Sequence, residues 1–186
     1  MKPTQNWENT QGNSASIANA AELTAGGHGE TILKIDMTEI NGKEVMLIYH
    51  DIKDGSEFDG YFMNKFNNQK KFGEATFKGI YRMFTTGNDG NTNSYFKGFI
   101  TAVENSNPGY KWNWDEKTLK GKKVGIVYRM EDWEYNGYSG TTARPFYFCD
   151  FDAAPEMPEP KPKKLKAQPV AAKESIVETA DDDLPF

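Results

Sequence analysis

The sequence predicts a mainly β domain of five strands with one helix between the third and the fourth. Three observations carry that expectation. Asn41-Gly42, Asp54-Gly55 and Asn136-Gly137 punctuate strand-like apolar runs, a pattern that favours hairpins. One stretch, around residues 96–103, has the clearest helical period. Aromatic residues make up 13% of a chain that is only 37% hydrophobic. So many rings with so little aliphatic mass either fill a small β-rich core or face a ligand.

Residues 31–40 (TILKIDMTEI) alternate in part and form a first strand that ends at Asn41-Gly42. Residues 44–51 (EVMLIYHD) follow as its hairpin partner, closed by Asp54-Gly55. Third-strand material comes from 58–62 and 76–84, the latter equally compatible with a helix. Phe96, Phe99, Ile100 and Val103 stand at i, i+3, i+4 and i+7, with Asn93 or Ser94 as cap and Asn107-Pro108-Gly109 as stop. Residues 122–135 form a long strand turning at Asn136-Gly137, and 141–150 return. Three strands, a helix and two strands is the order of the OB-fold, a five-stranded Greek-key barrel whose face and loops bind oligonucleotides and sugars. Another small α+β sheet with a helix on one side fits the same pattern.

Composition divides the chain into three. Residues 1–28, rich in Asn, Ser, Ala and Gly, read as a loosely ordered arm pinned by Trp7 or Leu23. Residues 29–152 hold almost all the aromatics and form the core domain. Residues 153–186 turn to Pro, Lys, Glu and Ala, too polar to offset their ordering entropy, and are expected to be a disordered tail.

Charged residues make up 26% of the chain. No run approaches the ~18 apolar residues of a spanning helix, and no signal peptide opens the chain. The expected location is the cytoplasm. Cys149 is the single cysteine, and His28 and His50 are the only histidines. A disulfide framework, a cysteine-based zinc cluster or a histidine metal site is therefore not expected. Phosphate-binding loops, nucleophile elbows and zinc-protease motifs are missing. Asp51, Asp54, Glu57 and Asp59 crowd one stretch and could serve a metal-dependent nuclease, but a solvated turn around Asp54-Gly55 explains them better. Cys149 reads as a buried strand thiol. The expectation is a protein without catalytic residues, cofactor or metal.

The formal net charge of -5 hides two basic segments. Residues 61–84 carry Lys65, Lys70, Lys71, Lys78 and Arg82 against Glu74, interleaved with rings that include Phe72 and Tyr81. Residues 109–129 carry Lys111, Lys117, Lys120, Lys122, Lys123 and Arg129 against Asp115 and Glu116, among Tyr110, Trp112, Trp114 and Tyr128. Cations that track phosphates and rings that stack on bases are what single-stranded nucleic acid requires. The candidate contacts are Lys70, Lys71, Phe72, Lys78, Tyr81, Arg82, Tyr110, Lys111, Trp112, Trp114, Lys122, Lys123 and Arg129. Alternation puts one of Tyr81 and Arg82 inside. Phe62, Phe77, Phe96, Phe99, Phe146 and Phe148 are assigned to the core.

The chain closes on Asp181, Asp182, Asp183, Leu184, Pro185 and Phe186 behind a Pro/Lys-rich spacer. This resembles the acidic tip of bacterial single-stranded DNA-binding proteins, with Leu where Ile is usual. Residues 96–129 (FKGFITAVENSNPGYKWNWDEKTLKGKKVGIVYR), and less firmly 26–35 (GGHGETILKI), resemble such proteins from phages and prophages of Gram-positive bacteria. The resemblance implies an OB-type domain that coats single-stranded DNA without sequence preference during phage replication, recombination or repair. It also implies self-association into a homo-oligomer, and a tip that recruits partner proteins of the host cytoplasm through Asp181–Asp183 and Leu184–Phe186. An RNA-binding OB protein, a metal-dependent nuclease or recombination enzyme, and a decoy acting through its tip alone are the competing readings.

Overall fold

The computed structural model describes residues 21–165. Trp7 and the acidic tip lie outside them. Five strands run β1 (Gly26–Ile40), β2 (Lys43–Ile52), β3 (Ile80–Phe84), β4 (Lys123–Tyr135) and β5 (Tyr138–Cys149), with helices α1 (Tyr61–Lys70) and α2 (Ser94–Ser106). They form one antiparallel sheet of order β3-β2-β1-β4-β5. Asn41 and Gly42 both take positive φ, 53° and 73°, as do Asn136 and Gly137 at 49° and 78°. This is the backbone that a two-residue hairpin with right-handed strand twist demands, and Asn and Gly tolerate it best.

The sheet curls until its end strands meet side chain to side chain. Tyr81 of β3 lies 4.9 Å from Phe148 of β5, and Phe99 of α2 lies 4.7 Å from Phe148. α2 plugs this space with the face that its sequence period marks: Phe96, Phe99, Ile100 and Val103 are all buried. The Asn93 side chain caps it by accepting from the Tyr95 N–H at 2.9 Å. Leu23 joins the same core.

Three expectations are corrected. Residues 58–62 are not strand: 58–60 lead into α1, a helix the sequence did not announce, and Tyr61 and Phe62 are its first residues. Its N-cap, Gly60, has no side chain, and the cap comes from Asp51 on β2. That carboxylate accepts from the Phe62 and Met63 N–H groups at 2.9 and 3.3 Å. It places negative charge at the positive end of the helix. The third strand is only Ile80–Phe84.

Second, Gly26–His28 do not belong to an arm, because β1 starts at Gly26. The glycines there serve a close approach: a Cβ on Gly27 would sit 1.9 Å from the Ala154 carbonyl oxygen. Third, residues 153–165 are not a disordered tail. Phe151–Glu156 form a 3-10 turn that buries Ala154 against β1 and β4. Lys163 then pairs in parallel with Glu131 of β4. Two backbone hydrogen bonds and a glycine-floored seat supply the order that composition denied.

Candidate nucleic-acid interface

Side-chain alternation assigns the two faces of the sheet. Met46 and Ile48 of β2, Met83 of β3 and Ile35 of β1 face the core. Their neighbours therefore face out, and the register lines them up in rows. Lys34 pairs with Tyr49, and Tyr49 with Ile80. Asp36 pairs with Leu47, and Leu47 with Arg82. Thr38 pairs with Val45, and Val45 with Phe84. Lys34 Nζ stands 5.2 Å from the Tyr49 ring, and Phe77 stacks on the same ring at 6.2 Å. Phe84 is 37% exposed and Arg82 is exposed. Cations and rings thus share one outer face.

The predicted contact residues fall in several separate places. Arg82 lies on the outer face of β3, whereas Tyr81 points inward against Phe148 and is removed from the candidate contacts. Lys70, Lys71, Phe72 and Lys78 are exposed along the segment from the end of α1 towards β3, with Phe72 67% exposed. Tyr110, Lys122 and Lys123 line a cleft of about 530 Å³ together with 106–109. Lys122 Nζ sits 4.5 Å above the Tyr110 ring, whose hydroxyl is 2.8 Å from Thr118 Oγ1. Lys111 is exposed and paired with Glu104 at 3.3 Å.

Trp112 and Trp114 line a separate cleft of about 350 Å³ with Met37, Met46 and Phe96. The two indoles differ. Trp112 is half-buried against Phe96, and Glu104 accepts its backbone N–H at 2.9 Å. That bond leads the causes that hold the Glu104 carboxyl below the usual range. Trp114 is 75% exposed and takes a positive φ of 66°, a backbone that a bulky residue rarely adopts. Arg129 faces out from β4, half-buried, with its guanidinium 4.1 Å from the Phe146 ring and ion-paired to Glu131. Phe62, Phe96 and Phe99 are buried as expected, and Phe77 and Phe148 pack partly buried on the core. Phe146 instead carries the arginine.

Sequence reasoning missed the β4–β5 hairpin tip, where Trp133, Tyr135 and Tyr138 are 40%, 72% and 75% exposed. Tyr135 and Tyr138 pair directly across the Asn136-Gly137 turn. That turn was the available signal, since side chains flanking a hairpin tip have little sheet to cover them. It also missed Lys34 and Tyr49, which only the register brings to the face of Arg82 and Phe84.

A buried polar network was missed as well. Glu30, His50 and Tyr128, from three strands, are wholly buried. Glu30 accepts from the Tyr128 hydroxyl at 2.5 Å and meets His50 Nδ1 with its other oxygen. Burial, then the Glu30 charge, pushes the Tyr128 hydroxyl well above its ordinary value. The network ties β1, β2 and β4 at the centre of the sheet.

Three of the four acids of 51–59 are occupied in structural work, and Glu57 is exposed. Asp51 caps α1. Asp54 accepts from the Ser56 N–H at 2.9 Å and contacts His28 Nδ1 at 3.0 Å. Burial raises the Asp54 carboxyl, but the Ser56 and His28 hydrogen bonds outweigh it and leave the group low. Asp59 pairs with Lys53 at 2.7 Å. Among the described residues no three His, Cys, Asp or Glu side chains are grouped to hold a metal ion. Cys149 is buried, and burial pushes its thiol up to about 11. No helix among the described residues is long and apolar enough to cross a membrane. No protein-family model matches the chain, and no curated protein matches it.

Proposed function

We propose that this chain is a non-catalytic, sequence-tolerant single-stranded DNA-binding protein built on an OB-fold. It coats exposed strands in phage replication, recombination or repair and recruits partner proteins through Asp181–Phe186. The observation that carries the reading is the outer face of β1-β2-β3. There Lys34, Tyr49, Arg82 and Phe84 set cations beside rings on the strands that bind oligonucleotides in OB-folds. The strand order supports the fold: β1 pairs with both β2 and β4, the helix lies between β3 and β4, and β3 meets β5 through Tyr81 and Phe148. The hairpin bearing Trp133, Tyr135 and Tyr138 extends the interface in the place where OB-folds use the loop between strands four and five.

Stacking and phosphate contacts read little sequence, so homopolymers should differ modestly and duplex should bind far more weakly. The test is a gel shift of labelled single-stranded DNA with duplex and RNA competitors, run with and without Mg²⁺. Retarded, intact DNA that RNA and duplex displace poorly is the expected result. Shortened DNA would establish the nuclease reading, preferential RNA competition the RNA reading, and a site-specific duplex footprint would sink all three.

A further inference from the structure

The chain after the 3-10 turn does something its composition does not advertise. Met157 packs against Val127, Cys149 and Ala154, and the following residues run as a strap to β4. Lys163 donates its N–H to the Met130 carbonyl and accepts from the Asp132 N–H, both at 2.9 Å. β5 pairs with β4 along the other edge as far as Tyr135, and β1 pairs with β4 only up to Tyr128. The strap therefore occupies the edge of β4 where β1 has stopped. Pro158, Pro160 and Pro162 alternate with Glu159, Lys161 and Lys163. Each proline fixes its own φ and favours extended backbone in the residue before it, so the strap is kept extended by its sequence.

Its lysines meet the acids of the hairpin. Lys163 Nζ is 3.5 Å from Glu131 and Lys164 Nζ is 3.4 Å from Asp132, with the lysine side chains 62% and 73% exposed. Glu131 lies on the same face as Arg129, Trp133 and Tyr135, and the pairing adds Arg144 and Tyr138 to that face. Without the strap, Glu131 stands among these rings with only Arg129 paired to it, while Asp132 and Glu134 alternate to the other face, where Asp132 accepts from the Thr141 hydroxyl. With it, Lys163 adds a cation beside Glu131 on the face of Arg129 and Arg144, Lys161 stands exposed two residues earlier on the strap, and Lys164 meets Asp132 on the other side of the β4 edge. Ion pairs this exposed are weak, so a phosphodiester can take the ammonium groups over at small cost.

We infer that the strap is a nucleic-acid-binding element, whose Lys161, Lys163 and Lys164 grip the phosphates of a single strand stacked on the β4–β5 hairpin. The inference rests on the single-stranded DNA reading, and its test separates the two. Oligo-dT binding to the full chain is measured over a salt series for the wild type, for Lys161, Lys163 and Lys164 all changed to Gln, and for all three changed to Arg. Three lost phosphate contacts should flatten the slope of log K against log salt by about 2, with binding about tenfold weaker or more at low salt. The Arg variant should keep the wild-type slope. An unchanged slope in the Gln variant overturns the strap's role while leaving the binding reading intact. Equal losses in the Gln and Arg variants also overturn it, because charge would then not be what the strap contributes. A wild type that fails to bind oligo-dT overturns the parent reading itself.

Discussion

Trp112 and Trp114 are two residues apart, yet their surroundings give them opposite roles, and substitution separates those roles cleanly. Trp114 is 75% exposed. A fully buried indole covers roughly 200 Å², so Trp114→Ala removes only about a quarter of that from contact. At about 25 cal/mol per Å² the folded protein loses about 1 kcal/mol. Trp112 is mostly covered, wedged on Phe96, and Trp112→Ala opens a cavity costing about 3 kcal/mol. If the Trp114 ring stacks on a base, its removal costs about 1–3 kcal/mol of binding, about 5- to 150-fold in Kd. The assay is a urea melt of each variant beside oligo-dT titrations at several salt concentrations. Trp114→Ala should shift the binding curve but not its salt slope, because an indole displaces no counterion. Arg82→Gln, by contrast, should flatten the slope by about 0.7. Trp114→Phe should recover most of the affinity. A folded Trp114→Ala protein with wild-type affinity would refute the argument and move the stacking surface to the sheet face and the hairpin.

Tyr128→Phe strips a donor from wholly buried Glu30 and should cost about 1–3 kcal/mol in a urea melt. At saturating protein the variant should still bind oligo-dT, since Tyr128 is remote from solvent. Burial holds the Asp51 carboxyl above its ordinary 3.8, so folding takes up a proton there. That contribution is fully present below pH 3.8 and is lost as pH rises through the raised value. Asp51→Asn has no such loss. The urea midpoint of the variant should therefore gain on the wild type as pH climbs from about 4 towards 7; a constant difference would contradict the assignment. Deleting 178–186 should abolish capture of replication or repair proteins while leaving oligo-dT binding intact. Phe186→Ala alone should do the same.

What the sequence made legible was what depends on neighbours in the chain. α2 shows its buried face at i, i+3, i+4 and i+7 and its cap at Asn93, all within one helix length. The Asn-Gly turns likewise declare themselves through the only residues at ease with their φ values. α1 was hidden because its cap, Asp51, arrives from β2. The strap was hidden because its order comes from an open strand edge and from Gly27, over a hundred residues away in the chain. The outer face shows the same division. Arg82 could be nominated from local charge, but alternation alone left open whether it or Tyr81 faces in, and the contact of Tyr81 with Phe148 decides it. Lys34, Tyr49 and Phe84 become one surface only when β1, β2 and β3 are in register, and no local pattern states that register. Glu30, His50 and Tyr128 are the extreme case: three polar residues, each unremarkable in its own strand, whose partners lie on the other two.

The charge distribution decides how the interface and the tip should influence each other. Glu174, Glu178, Asp181, Asp182 and Asp183 account for the whole formal net charge of -5, so residues 1–173 are neutral in sum. A neutral body offers a polyanion little long-range attraction. Its affinity must come from short-range stacking and from cations set at particular places, such as Arg82 on the sheet and Lys163 on the strap. The acids then set the sign of the far field, which acts on the approach of DNA rather than on the bound complex. Removing 178–186 should therefore raise the association rate for oligo-dT at low salt and leave the dissociation rate unchanged. The gain should fade as the screening length falls to about 8 Å near physiological ionic strength. Stopped-flow Trp quenching measures both rates. A change confined to dissociation would mean that the acids touch the bound complex, and the far-field argument would fail.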